Sequence, residues 1–230
     1  MPKHGKNFKK ALEAVKKDFA YDVKEAIKLA KEIKFAKFDE SFGLSFNLNV
    51  DPRHADQQIR GALVLPHGTG KTQKVLVITQ GPKEAEAKEA GADFVGGKEL
   101  LEDIKKGWFE FDIIVATPDM MGELGKLGKL LGPKGLMPNP KTGTVTNDLA
   151  NAIAEIKKGK VEYRVDKEGN INVLVGKSSF SDEALYENIK ALYSTILKAR
   201  PAAVKGAYIK NLVLSTTMGP AIKVSGDSIA

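Results

Sequence analysis

The hydrophobic pattern of the chain changes its period at residues 41–50. In this stretch, SFGLSFNLNV, every even-numbered residue is apolar and every odd-numbered residue is small or polar. A period of two is typical of a β-strand with one buried face and one face in water, as in an antiparallel sheet covered by helices. Asp51-Pro52 ends this strand, and a second strand is predicted at 61–65.

Both ends of the chain fit the same antiparallel α+β pattern. Phe8, Leu12, Val15 and Phe19 recur at helical spacing and predict a first helix, and Asp22 is predicted to cap a second one. After residue 159 the period of two returns, and 161–165 and 171–175 are predicted to form a hairpin around the turn at 166–170. The last predicted elements are a helix at 181–199 and strands at 208–215 and 221–224.

The middle of the chain has fully apolar strands that alternate with helices, a pattern typical of a parallel sheet covered on both faces. We predict strands at 75–78, 92–95 and 111–116 and helices at 82–89, 98–106, 117–131 and, capped by Asn147, up to 158. The predicted fold class is therefore α/β with two domains. A discontinuous α+β domain with an antiparallel sheet comprises residues 1–67 and 159–230, and a Rossmann-like parallel α/β domain, residues 68–158, is inserted into it.

The composition excludes several classes of protein. The chain of 230 residues has no cysteine, which excludes disulfides, thiolate zinc sites and a cysteine nucleophile. No apolar run approaches the length of about 18 residues that a membrane-spanning helix needs. The basic start of the chain lacks the apolar core of a signal peptide. We expect a soluble, cytoplasmic protein that is a monomer when free and has no membrane partner.

The net charge of +7 is unevenly distributed along the chain. Residues 1–37 carry 11 Lys and 5 acidic residues, whereas residues 68–158 carry 13 Lys and 13 acidic residues and are neutral. Residues 159–230 carry 10 basic and 7 acidic residues. Clustered cations bind phosphate backbones favourably because counterions are released. This charge distribution therefore favours a polyanion partner for the two ends of the chain, and a solvated basic surface without a specific partner is the alternative.

No catalytic constellation is found in the sequence. The segment 68–72, GTGKT, ends like a phosphate-binding loop, but the Gly that a Walker motif requires is replaced by Leu65, and a strand rather than a helix follows. Asp51, His54 and Asp56 lack the spacing of a metal site, and no Gly-x-Ser-x-Gly elbow is present. We predict neither an enzyme nor a cofactor or metal, and an enzyme with a nucleotide site at Lys71 is the alternative.

Three other segments each have a structural and a functional interpretation. GPKGLMPNPKTG (132–143) is either a rigid surface loop or an anion-binding loop. Phe38 is in phase with the buried face of the 41–50 strand, which favours a position in the core, yet it lies at the outer end of that strand, next to the cation Lys37. TTMGP (216–220) is either a simple turn or, through its hydroxyls, thioether and approachable glycine, a contact for nucleic acid.

These segments resemble the bacterial large-subunit ribosomal protein L-one family. The resemblance is carried by KFDE (37–40), GPKGLMPNPK (132–141) and TTMGP (216–220), together with MPKHGK (1–6) and GKSSF (176–180). The segments follow the order of the family and extend over essentially the whole chain.

The resemblance implies a structural constituent of the large ribosomal subunit that binds rRNA at the mobile lateral stalk beside the tRNA exit site. It also implies assistance in the release of deacylated exit-site tRNA, and repression of its own operon through binding of the mRNA. The implied RNA-binding residues lie on the split domain, and Ser41 stands where the family has Thr, so that a hydroxyl is kept. They are Lys37, Phe38, Ser41, Arg53, Thr216, Thr217, Met218 and Gly219, to which the chemistry of the 161–165 strand adds Arg164.

The competing hypotheses make different predictions. A nucleotide-dependent enzyme would bind mononucleotides and lose that binding in Lys71→Ala. A general basic RNA chaperone would not discriminate between stalk RNA and a random duplex at equal salt concentration.

Overall fold

The structure, a computed structural model, describes residues 5–16 and 19–229. The chain divides into two compact units, a split unit made of the residues up to Gly70 and from Val161 onward, and an inserted unit, Lys71–Lys160. No helix among the described residues is both long and apolar enough to span a membrane. The helices are α1 (Lys6–Glu13), α2 (Val23–Glu32), α3 (Lys83–Glu89), α4 (Lys98–Lys105), α5 (Met121–Lys126), α6 (Gly128–Leu131), α7 (Leu149–Lys157) and α8 (Asp182–Lys198). The strands are β1 (Ser41–Leu48), β2 (Arg60–Val64), β3 (Val75–Ile78), β4 (Phe94–Gly96), β5 (Ile113–Ala116), β6 (Lys160–Arg164), β7 (Asn170–Lys177), β8 (Ile209–Thr216) and β9 (Ile222–Val224).

The split unit is built around a four-stranded antiparallel sheet of order β7-β1-β8-β9. The predicted alternation of β1 is confirmed, because its even-numbered residues are buried and its odd-numbered residues are partly exposed. Phe42 and Phe46 are fully buried in a core that also contains the apolar faces of α2 and α8. Burial of each such aromatic side chain contributes about 1.5–3 kcal/mol, so this face fixes the register of β1.

Side-chain caps fix the starts of the two covering helices. The Asp22 carboxylate accepts a hydrogen bond from the Lys24 N–H at 2.8 Å, which confirms the predicted cap of α2. The Ser181 hydroxyl accepts one from the Ala184 N–H at 3.2 Å at the start of α8. Each cap satisfies an amide that the helix itself leaves unpaired.

The inserted unit contains a three-stranded parallel sheet of order β4-β3-β5, as predicted for this part of the chain. Alternate residues of β3 enter two different cores, so both faces of the sheet are covered. Leu76 and Ile78 pack with α4, α5 and α6, whereas Val75 and Val77 pack with α3 and α7. Burial on both faces explains why β3 is an uninterrupted apolar run.

Four local predictions are wrong. The first helix ends at Glu13, and Phe19 is exposed instead of continuing its apolar stripe; residues 17 and 18 of that prediction lie outside the described residues. The predicted 161–165/171–175 hairpin does not form, because β6 pairs with β2 and β7 pairs with β1. The helix predicted at 117–131 is divided at Leu127 into α5 and α6, and α7 is capped by Asp148 rather than Asn147.

One buried amide anchors the end of the first half of the split unit. The Asn188 side chain, on α8, is fully buried and accepts a hydrogen bond from the His67 N–H at 3.0 Å. It donates two others, to the carbonyl oxygens of Gly68 at 3.0 Å and Val175 at 2.8 Å. The segment that leaves β2 is therefore tied to α8 and β7 before it reaches residue 71.

Candidate nucleic-acid interface

The candidate interface lies at the end of the antiparallel sheet where β1 begins and β8 ends. Because the two strands run antiparallel, Phe42 stands opposite Thr216. The Thr217 hydroxyl accepts a hydrogen bond from the Ser41 N–H at 2.9 Å and donates to the Ser41 carbonyl oxygen at 3.4 Å. Two segments separated by about 175 residues in sequence are thus joined at this point, which we call the strand-end surface. It comprises Lys37, Phe38, Ser41, Thr216, Thr217, Met218 and Gly219.

The turn after β8 has a fixed shape. The Thr216 side chain is buried, and its hydroxyl accepts a hydrogen bond from the Gly219 N–H at 3.1 Å. A Cβ added at Gly219 would lie only 2.3 Å from that hydroxyl oxygen, so the turn requires glycine at this position. The closed turn holds Met218 outward with half of its side chain, 50%, exposed.

The segment before β1 presents a second apolar side chain to solvent. Phe38 is 51% exposed, so the core interpretation of this residue is wrong. Lys37 beside it is also exposed. The strand-end surface therefore combines two exposed apolar groups with a cation and the Thr217 hydroxyl, a set of groups suited to packing on ribose and base while contacting phosphate.

The segment 176–180 supports this surface, although it was not among the predicted site residues. The Asp39 carboxylate accepts hydrogen bonds from the Ser178 hydroxyl at 2.7 Å, the Ser179 N–H at 3.0 Å and the Ser179 hydroxyl at 2.9 Å. The bond from Ser178 is the largest of the influences that hold the pKa of Asp39 below its usual value. The Lys177 ammonium donates to the Ser41 hydroxyl at 2.7 Å.

The only sign of these contacts in the sequence is the GKSSF motif at 176–180. Chemistry alone does not predict that a serine pair would bond to a carboxylate about 140 positions earlier. The contacts fix the backbone that follows Phe38, since Asp39 is the next residue and Ser41 begins β1.

The two predicted arginines lie elsewhere on the split unit. Arg53 is exposed in the loop that follows the other end of β1, where its N–H donates to the Asp51 carboxylate at 3.0 Å. Arg164 is exposed at the end of β6, and the next residue donates its N–H to the carbonyl of Ile59, directly after that loop. An eight-residue strand is about 25 Å long. The structure therefore brings seven of the nine predicted residues together and separates the two arginines from them.

The loop at 68–72 does not have the context of a phosphate-binding loop. It continues into β3 rather than into a helix, and the Lys71 ammonium forms an ion pair with Asp112 at 3.2 Å. Among the described residues, no group of His, Asp and Glu is arranged to hold a metal ion.

The strand-end surface thus offers hydroxyl, ammonium and exposed apolar groups for contact with a partner. Residues 29–220, more than four-fifths of the chain, match the model of the ribosomal protein L1p/L10e family. The chain belongs to this family. It is accordingly a structural, non-enzymatic constituent of the cytoplasmic ribosome that binds rRNA, and the hypothesis of a nucleotide-dependent enzyme is wrong.

Proposed function

We propose that the strand-end surface is the specific rRNA-binding site and that Arg53 and Arg164 contact a second part of the same RNA. The observation that carries the proposal is the pair of hydrogen bonds between Thr217 and Ser41. These bonds position Met218 and Phe38, both half exposed, on a surface that is formed before RNA arrives. A preformed surface binds without the entropic cost of ordering a loop.

The chemistry of this surface suits the recognition of folded RNA. Proteins read RNA helices mostly through shape, 2′-hydroxyls and phosphates, whereas exposed bases stack on apolar and aromatic side chains. In the proposed complex, Lys37 contacts a phosphate, Phe38 and Met218 pack against ribose or base, and Thr217 fixes the two segments relative to each other. Gly219 keeps the backbone open to close approach.

The proposal is tested by filter binding of an rRNA stalk fragment to Thr217→Ala and Met218→Ala. We expect each substitution to weaken binding by about 1–3 kcal/mol without a change in the circular dichroism spectrum. Leu130→Ala, which truncates an exposed apolar residue of the inserted unit, is the matched control. Unchanged dissociation constants in both variants would refute the assignment of the surface.

A competition experiment distinguishes a specific rRNA reader from a general RNA chaperone. A reader prefers the stalk fragment over a random duplex of equal length at the same salt concentration. A chaperone shows no such preference, because phosphate contacts alone carry no sequence or shape information.

We further propose that the protein is a monomer when free, that it assists the release of deacylated tRNA from the exit site at the lateral stalk, and that it represses its own operon. Repression follows if the mRNA presents the same RNA shape to the same surface. The mRNA leader and the stalk fragment should then compete for one site, and Met218→Ala should weaken both complexes by the same factor. Release is tested with ribosomes that lack the protein, which should lose deacylated tRNA more slowly until the protein is added back.

A further inference from the structure

The strand-end surface continues into an open groove along α1. The groove has a volume of about 510 Å³ and is lined by Gly5, Lys6, Asn7, Phe8, Phe35 and Met218. A smaller depression of about 230 Å³ extends it through the shared residues Asn7 and Phe35. The extension is also lined by Lys10, Ala11 and Ile33. We call the two together the α1 groove, and Met218 belongs both to it and to the strand-end surface.

The cations of α1 are not neutralised within the part of the chain that the structure describes. Lys6, Lys9 and Lys10 are exposed, and none of them forms an ion pair with another described residue. The helix carries one acidic residue, Glu13, at its far end. By contrast, Lys31 of α2 is paired with Asp182 at 2.6 Å. The lining of the groove combines the ammonium groups of Lys6 and Lys10 with apolar groups such as Phe35 and Met218. This combination is complementary to a ribose–phosphate chain.

We propose that the α1 groove binds the RNA backbone next to the nucleotides that contact Met218. In this arrangement Lys6 and Lys10 bind successive phosphates, while Phe35 and Met218 pack against the ribose and base between them. The inference rests on the proposed function of the strand-end surface. It adds to that surface a helix that lies outside the residues matched by the family, 29–220.

Salt dependence provides a direct measure of the two phosphate contacts. Each phosphate neutralised by a lysine contributes about 0.7–0.9 to the slope of log K against log salt concentration. The double variant Lys6→Gln/Lys10→Gln should therefore reduce that slope by roughly 1.5 and weaken binding of the stalk fragment about tenfold or more at 0.1 M salt. Glutamine is a good helix former, so α1 is retained.

Lys9 supplies the matched control, because it is exposed on the same helix but lines neither part of the groove. Lys9→Gln removes the same charge, and we expect it to weaken binding less than twofold. If Lys9→Gln lowers the RNA affinity as much as Lys6→Gln or Lys10→Gln does, the effect depends on net charge alone and the proposal is overturned.

A cross-linking experiment locates the RNA independently of affinity. The chain has no cysteine, so Asn7→Cys introduces a unique thiol in the groove for a photoactivatable cross-linker. We expect cross-links to the stalk fragment from position 7 and none from Lys198→Cys, which is exposed at the far end of α8. Absence of cross-links from position 7, or an unchanged salt slope in the double variant, would overturn the proposal.

The Met218→Ala variant separates the two proposals. If it weakens binding while Lys6→Gln/Lys10→Gln leaves the affinity and slope unchanged, the groove inference fails and the strand-end surface stands. If Thr217→Ala and Met218→Ala both leave the affinity unchanged, the proposed function fails first.

Discussion

The split unit and the inserted unit are both sheets covered by helices, but they use their sheets differently. The antiparallel sheet of the split unit buries one face only, and its strand ends hold Phe38 and Met218 half exposed. The parallel sheet of the inserted unit buries both faces, and the sequence between residues 68 and 158 has no net charge. The split unit thus presents exposed apolar groups at its strand ends, whereas the sheet of the inserted unit is covered by helices on both faces. From this contrast we expect RNA recognition to depend on the split unit and not on the inserted unit.

The largest effects are expected from core substitutions that destabilise one unit without the other. Phe46→Ala in the core of the split unit should cost about 3–5 kcal/mol of unfolding free energy, and Leu76→Ala in the inserted unit about 2–5 kcal/mol, because both side chains are fully buried. Trp108 is the only tryptophan of the chain and packs in the inserted unit. Denaturant unfolding followed by Trp fluorescence should therefore respond to Leu76→Ala and not to Phe46→Ala. If both variants shift the fluorescence transition equally, the units do not unfold separately.

The next effect is confined to the turn of the strand-end surface. Gly219→Ala places a methyl group against the Thr216 hydroxyl and displaces the turn that presents Met218. We expect RNA affinity measured by filter binding to fall by about 2–3 kcal/mol, at the upper end of the range for a single specific contact. Gly122→Ala in α5, where the added methyl meets nothing within 4 Å, should leave the affinity unchanged and should not lower the melting temperature. Full affinity in Gly219→Ala would mean that the turn plays no part in recognition.

A smaller effect is expected from removal of the whole inserted unit. We predict that residues 1–67 and 159–230 form a domain that folds without 68–158 and carries the specific site. Replacement of the insert by a short glycine linker should then change affinity for the stalk fragment by less than about tenfold, or 1.4 kcal/mol. Circular dichroism and a cooperative melt establish that the shortened chain is folded. A loss of many orders of magnitude in a folded variant contradicts the separation of roles.

The smallest effect concerns acid stability. Hydrogen bonds from Ser178 and Ser179 lower the pKa of Asp39, so the folded state binds its proton less readily than the unfolded state. The stabilisation is present above about pH 4 and is lost as the pH falls through the lowered pKa. Asp39→Asn should therefore flatten the loss of split-unit stability between pH 5 and 3, measured by thermal melts.

Asp112 provides the corresponding control in the inserted unit. Its pKa is lowered mainly by the hydrogen bond from the Lys74 N–H. Asp112→Asn should flatten the acid response reported by Trp108 and leave that of the split unit unchanged. Identical profiles for both variants and the parent chain would show that neither carboxylate contributes.

The sequence predicts those parts of the fold in which local chemistry and burial agree. The alternation over residues 41–50, the Asp22 cap and the apolar run of β3 each depend on neighbouring residues only, and each is confirmed. The pairing of β6 is different, because the tight turn at 166–170 favours a hairpin while the core places β6 beside β2. Strand partners are chosen by packing across the whole unit, which local turn signals do not report.

In the candidate site, too, the identity of some residues can be predicted from the sequence, whereas their arrangement depends on tertiary packing. The family resemblance identifies Met218 and Phe38, but their juxtaposition depends on the antiparallel register of β1 and β8, which no local pattern encodes. The support from Ser178 and Ser179, and the groove formed by α1 and Phe35, are likewise products of tertiary contacts. The family resemblance groups Arg53 with these residues, whereas its loop lies beyond the other end of β1.

The buried amide of Asn188 has a consequence for protein engineering. All three of its hydrogen-bond partners lie within the split unit, at residues 67, 68 and 175. The anchor therefore joins the two halves of the split unit and uses no residue of the inserted unit. The inserted unit, Lys71–Lys160, could accordingly be replaced by a fluorescent or enzymatic domain. The split unit would keep the three hydrogen bonds of Asn188 in such a fusion.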